Sequence, residues 1–145
     1  MSLFHVMSVS ASGLAAQRAR AQSIVENLAN SETTRTPEGG PYRRKDVILA
    51  PEAQGSPFSS IFQIELGAAQ TGVGVAGVVE DLREPVMRYQ PGHPDADAEG
   101  YVAYPNINPA EEMVDLMSAT RGYHANAAAM AAVKDMVVKS IDLLR

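Results

Sequence analysis

Residues 108 to 124 read Asn108-Pro109-Ala110-Glu111-Glu112-Met113-Val114-Asp115-Leu116-Met117-Ser118-Ala119-Thr120-Arg121-Gly122-Tyr123-His124, and from Ala110 to Arg145 the chain holds one glycine, Gly122, and no proline. Asn108 is a good N-cap. Pro109 suits the first helical position, where the N–H it lacks would be unpaired anyway, and Glu111 stands where it can close a capping box. Apolar or aromatic residues recur at Met113, Leu116, Tyr123, Ala127, Met130, Val137, Ile141 and Leu144, in steps of three and four broken at Thr120 and Lys134. One stripe therefore runs down one face of a helix from residue 108 to the end of the chain. At about 1.5 Å per residue it is roughly 50 Å long, longer than a compact domain of this size is wide. Such a helix needs a partner along its stripe, from this chain or from another.

Working outward, the first partner is residues 2 to 30. Phe4, Met7, Ala11, Leu14, Ala21, Val25 and Leu28 fall on one heptad frame with Arg18 as the break, which predicts a second helix with coiled-coil character. Gly13 weakens it by about 1 kcal/mol relative to alanine. The polar run Asn30-Ser31-Glu32-Thr33-Thr34 ends the periodicity.

Between the helices the chain changes character. Pro37, Gly39, Gly40, Pro41, Pro51, Gly55 and Pro57 punctuate residues 31 to 57 too often for a helix, so the stretch reads as an extended connector. Within it Tyr42 to Leu49 predicts a strand with a basic start, Arg43-Arg44-Lys45, expected as a solvated strand end. Phe58 to Leu66 alternates loosely, Val73 to Val79 is β-branched and glycine-dotted, and Val86 to Gln90 is a short strand candidate. The glycines at 72, 74 and 77 are not a phosphate loop, because no Gly-Lys-Ser/Thr follows. Residues 91 to 107 read as a turn-rich approach to the long helix. There Asp95, Asp97, Glu99 and Gly100 match the first, third, fifth and sixth positions of a calcium loop. Asn106 stands where a bidentate glutamate is needed, and Pro91 and Pro94 preclude an entering helix. Exposed acids on a tight turn are favoured over a calcium site, and His93 is expected to fix that turn.

Composition narrows the function classes. The 145 residues are 46% hydrophobic but only 6% aromatic, with no tryptophan, so the core is thin and suits close helix packing rather than a deep pocket. The formal net charge of -5 leaves no electrostatic footprint for nucleic acid. Residues 31 to 109 carry the acidity, with eleven acids against six bases. The absence of cysteine excludes disulfides, thiolate metal sites and a cysteine nucleophile. No apolar run is long enough to span a bilayer, so direct membrane insertion is not expected. The start Met1-Ser2-Leu3-Phe4-His5-Val6-Met7 lacks the basic and apolar regions of a cleavable signal peptide. His5, His93 and His124 show no spacing to serine or carboxylate that would make a triad. No catalytic residue, cofactor or metal is expected, and the chain is read as a non-enzyme.

These features predict an α+β fold: residues 1–34 and 108–145 paired as an antiparallel coiled-coil-like unit, with a small antiparallel β-rich region over 35–107. The C-terminal helix exceeds the N-terminal one by about two turns. Surplus helical surface invites packing against other subunits, and head-to-tail contacts give an open helical assembly.

Four segments carry a family resemblance. Glu26-Asn27-Leu28-Ala29-Asn30-Ser31-Glu32-Thr33-Thr34 resembles the end of the N-terminal helix in bacterial flagellar axial proteins of the rod and hook, and Glu112 to Asn126 resembles that family's C-terminal signature. Thr36 to Lys45 and Pro91 to Val102 are similar to segments particular to its proximal rod members. Together they cover nearly the whole chain, in the right order. Ser31-Glu32 and Gly122 depart from the family's usual residues. The resemblance implies a structural rod subunit in the periplasmic basal body. It would transmit torque through a helical tube of copies of itself, other rod subunits and neighbouring basal-body components. It also implies passage through the flagellar type III export apparatus without signal cleavage. The subunit contacts it implies lie along the two stripes: Met7, Leu14, Ala21, Val25 and Leu28 on the first helix, and Met113, Leu116, Tyr123, Met130, Val137, Ile141 and Leu144 on the second. Beside them stand Asn27, Asn30, Met117, Arg121 and Asn126, from the signature segments. Thr120 and Lys134, the breaks in the second stripe, are expected as contact positions. Another rod or hook member, or a small calcium module using Asp95, Asp97 and Glu99, is the alternative.

Overall fold

A computed structural model describes residues 3–53 and 71–143. The alternation over Phe58 to Leu66, the Phe4 side chain and Leu144 lie outside the described residues. Both long helices form: α1 spans Leu3–Ala29 and α2 spans Pro109–Asp142. Asn108 caps α2 as its sequence position predicts, its Oδ1 accepting from the Ala110 N–H at 3.1 Å. Its Nδ2 donates to Glu111 Oε1 at 3.1 Å, so the glutamate closes the cap through the Asn108 side chain. Acidic Glu111 and Glu112 in the first turn and Lys139 in the last complement the helix dipole.

The helices pair antiparallel. Asn27 meets Glu112, Arg20 meets Asp115, Gln17 meets Gly122 and Gly13 meets Asn126. The same register, continued, sets Leu3 level with Met136. Residues from Val137 to Leu143 therefore extend past the described start of α1, where Ile141 and Leu143 are exposed.

The phase of the seam corrects the sequence reading. On α2 the buried positions are Glu112, Ala119 and Val133, one residue ahead of Met113, Thr120 and Lys134. On α1 they are Ser10, Ala16, Ser23, Ile24 and Asn27, whereas Val25 and Ala11 are exposed. Small and polar residues thus carry the contact. A Cβ on Gly13 would lie 2.9 Å from Asn126 Nδ2, and one on Gly122 would lie 3.1 Å from Gln17 Cδ. Each glycine opens a notch for an amide side chain of the other helix, and counting apolar residues selects the neighbouring stripe instead.

In the middle region β1 spans Lys45–Ala53 and β2 spans Thr71–Glu80. They pair antiparallel with an irregularity at Ile48/Leu49, which face Gly77 and Val75 and leave Ala76 as the extra residue. The Val73 N–H donates to Ser12 Oγ on α1 at 3.0 Å, pointing away from β1. Its cross-strand partner is Pro51, whose missing N–H would also face outward, so the proline costs no ladder bond. The hairpin and α2 both pack against α1, which is the element they share.

A second ribbon pairs β3, Val86–Tyr89, with β4, Tyr101–Tyr104. Within the turn-rich approach of residues 91 to 107, β4 is a strand that the sequence does not single out. Its four residues bury Val102 and Tyr104 on alternate positions, while Tyr89 and Tyr101 meet edge to face at 5.4 Å. Gly100, at φ +86, turns the chain into β4. A side chain there would strike the Tyr89 ring at 2.9 Å.

Candidate assembly surface and the polar node behind it

Where α1 ends, the connector enters the hairpin and α2 begins, four polar side chains close on one another. Asn27 and Glu112 are 1% and 2% exposed. The Asn27 amide pairs with the Lys45 backbone as a neighbouring strand would: its Oδ1 accepts from Lys45 N at 2.8 Å and its Nδ2 donates to Lys45 O at 2.9 Å. The same Nδ2 donates to Glu112 Oε2 at 3.2 Å, and Tyr42 Oη donates to Asn27 Oδ1 at 3.2 Å. Ser23 adds a bond to Lys45 O at 2.9 Å. Arg44 Nε donates to Glu112 Oε1 at 2.6 Å, and its other nitrogens face Asp46 and Asp115. The expectation of a solvated basic strand end holds for the exposed Arg43 and is corrected for Arg44, which turns inward to pair with the buried Glu112.

Electrostatics follow this geometry. Burial opposes the charge on Arg44, but the hydrogen bonds and charges of Glu112 and Asp46 outweigh it and hold the guanidinium above its ordinary pKa. Partial burial, then the charges of Glu26, Glu80 and Glu112, raise the Tyr42 phenol above 10.0. Backbone and side-chain bonds from Arg83 hold Asp81 below the usual carboxylate range.

The residues singled out from sequence fall into four placements. Asn27 belongs to the node. Met7, Leu14, Ala21 and Leu28 on α1, with Leu116, Asn126, Met130 and Val137 on α2, are half-buried. Asn30 ends α1, donating to Glu26 O at 2.9 Å and accepting from Thr33 Oγ1 at 3.2 Å. Val25, Met113, Met117, Arg121, Tyr123 and Ile141 are exposed. With Val114, Met136 and Val138, the α2 residues Met113, Met117, Tyr123 and Ile141 leave apolar surface along the length of α2 that no other described element covers. Beside it a shallow groove between the helices is lined by Gln17, Arg18, Ala21, Ala119, Thr120, Tyr123 and His124.

The acidic turn is built from internal bonds. Asp95 accepts from Thr34 Oγ1 at 2.9 Å and pairs with Arg35 at 3.6 Å. Asp97 Oδ1 accepts from the Glu99 and Tyr101 N–H groups at 3.0 and 2.8 Å. His93 Nδ1 accepts from the Asp95 N–H at 3.1 Å, so it fixes the turn as its flanking residues suggest. Among the described residues no three histidines or acids stand where they could share a metal ion, and no helix is long and apolar enough to cross a membrane.

Sequence reasoning missed Glu112 and Arg44 as partners. They lie sixty-eight positions apart, and neither carries a local signal that predicts the other.

Four matches to known proteins bear on identity. Residues 98–143 match the family described as flagellar basal body rod FlgEFG protein C-terminal. The chain is 46% identical to the flagellar basal-body rod protein FlgC of Bacillus subtilis over 150 aligned positions, covering 99% of each chain. It is 40% identical to the FlgC of Borreliella burgdorferi, covering 100% of this chain and 99% of the relative. Against the FlgC of Salmonella typhimurium it is 39% identical, covering 99% and 98%.

Proposed function

The chain belongs to the FlgC family of flagellar basal-body rod proteins, and from that membership we propose that it is a structural, non-enzymatic subunit of the proximal rod. The terminal helices make it up as a rod element: α1 and α2 form the shaft, and the β1–β2 pair packs along α1. The observation that supports this best is the apolar surface left exposed along α2, at Met113, Met117, Tyr123 and Ile141. A monomer has no use for apolar surface along a whole helix, whereas a tube wall buries it between neighbours.

The contact surface is accordingly the outer side of α2 with Val25 and Arg121. The half-buried Met7, Leu14, Ala21, Leu28, Leu116, Asn126, Met130 and Val137 lie at its margin and hold the helices together. Asn27 acts through the node, and Asn30 shapes the turn that leaves α1. Neighbours are copies of this chain, other rod subunits and adjoining basal-body components. Transit through the type III export apparatus with the N-terminus uncut, to the periplasmic rod, completes the reading.

The test is complementation of motility in a strain lacking its own copy of this protein. Met117→Glu should fold with an unchanged melting midpoint yet fail to restore swimming, while Glu99→Gln restores it. Normal swimming by Met117→Glu would remove the outer face of α2 from the account.

A further inference from the structure

The polar node is unsymmetrical. Arg44 has three acidic neighbours, Glu112, Asp46 and Asp115, and is the sole cation within ion-pairing distance of Glu112 among the described residues. Asn27, the α1 residue facing Glu112, is neutral, and its amide is oriented by the Lys45 backbone on one side and by Tyr42 on the other. Beyond the N-terminal dipole of α2 itself, the cation and the aimed amide that offset burial of the Glu112 charge are therefore either brought by residues 42–45 or oriented by them. With that stretch undocked, closing the first turns of α2 onto the last turns of α1 would bury an anion beside an undirected amide. Breaking a buried pair at one partner is far more disruptive than replacing both.

The geometry points to a conformational latch: Glu112 makes closure of the 109–119 end of α2 onto α1 conditional on prior docking of residues 42–45, with Arg44 as the key. The hairpin seats first and the helix end closes last. A subunit whose connector is not yet seated keeps this end of its helix pair open. The rod reading does not require such a device, and the latch belongs to the single chain.

The purified full chain tests it by far-UV melting and by hydrogen exchange at the amides of Met113 to Ala119. Arg44→Met leaves Glu112 with no cation and should lower the melting midpoint on the order of 10 °C and deprotect those amides. Glu112→Met leaves Arg44 paired with Asp46, and should keep the midpoint and protection at or above wild type. In the double variant Arg44→Met/Glu112→Met protection should return. In Glu112→Met, Lys45→Pro, which removes the N–H that Asn27 accepts, should release the connector without deprotecting Met113 to Ala119; in the wild-type background it should deprotect them. Equal losses in the two single variants, no loss in Arg44→Met, or deprotection by Lys45→Pro in both backgrounds would overturn the latch. All of these are read without motility, so failure of the latch is distinguishable from failure of the rod assignment.

Discussion

Asn126 lies over Gly13, its amide nitrogen 2.9 Å from where a Cβ would stand, while the same nitrogen donates to Gly122 O at 3.0 Å. Gly13 is therefore kept by the facing helix rather than by its own backbone, for it sits inside α1 with no positive φ. An alanine in an ordinary helix interior gains about 1 kcal/mol over glycine. Gly13→Ala should show none of that gain in the wild-type background and recover it in Asn126→Ala. Denaturant titration of the four proteins of this cycle measures it, and a gain in both backgrounds would mean that Asn126 yields freely.

Asn27 substitutes for a strand at the edge of β1. Asn27→Ala removes both bonds to Lys45, takes the amide from Glu112 Oε2 so that Arg44 alone holds Glu112, and leaves the Tyr42 hydroxyl without its acceptor. Buried groups left unpaired cost about 1–3 kcal/mol each, so a loss of about 2–3 kcal/mol is expected by equilibrium unfolding. Asn30→Ala, which frees a bond at the exposed end of the helix, should cost less than half of that.

The phase of the seam separates two neighbouring pairs of residues. Val133 is buried and Lys134 exposed, and Ala119 is buried beside an exposed Thr120. Val133→Ala should destabilise the chain by about 1–2 kcal/mol and Ala119→Leu by about 1–3 kcal/mol through overpacking. Lys134→Ala and Thr120→Ala should each stay within about 0.5 kcal/mol. The reverse ranking in thermal melts would restore the stripe that apolar periodicity selects.

This pair of positions also shows what was legible beforehand. The ends of both helices and the antiparallel β-rich middle could be read, because caps, proline and glycine act locally and periodicity accumulates over long segments. The face each helix buries is turned only partly from the apolar stripe: Glu112, Ala119 and Val133 are buried in place of Met113, Thr120 and Lys134, while Leu116, Met130 and Val137 stay half-buried. Ser10, Gly13, Ser23 and Asn27 make close contacts that hydrophobicity does not register. The strand β4 is four residues long, too short for alternation to separate it from a turn. The node was invisible because Arg44 and Glu112 acquire meaning only across the fold.

Tyr42 gives a pH signature. Its phenol is raised above 10.0 by burial and by the charges of Glu26, Glu80 and Glu112. In the window above 10.0 the folded chain holds a proton that the unfolded chain has lost, so this contribution is complete below that pH and falls away as pH rises through the folded value. The melting-midpoint advantage of wild type over Tyr42→Phe should be constant from pH 7 to 9 and shrink by pH 11. A constant difference throughout would contradict the placement of the phenol.

The account stands or falls on whether neighbours cover the outer face of α2. The chain has no cysteine, so Met117→Cys supplies a single thiol at a position half exposed in the lone subunit. Maleimide labelling should be rapid in the purified protein and blocked in isolated basal bodies, with Glu99→Cys reporting the accessibility of the acidic turn in both. Equal labelling of Cys-substituted position 117 in the two preparations would contradict the assembly surface proposed for this rod subunit.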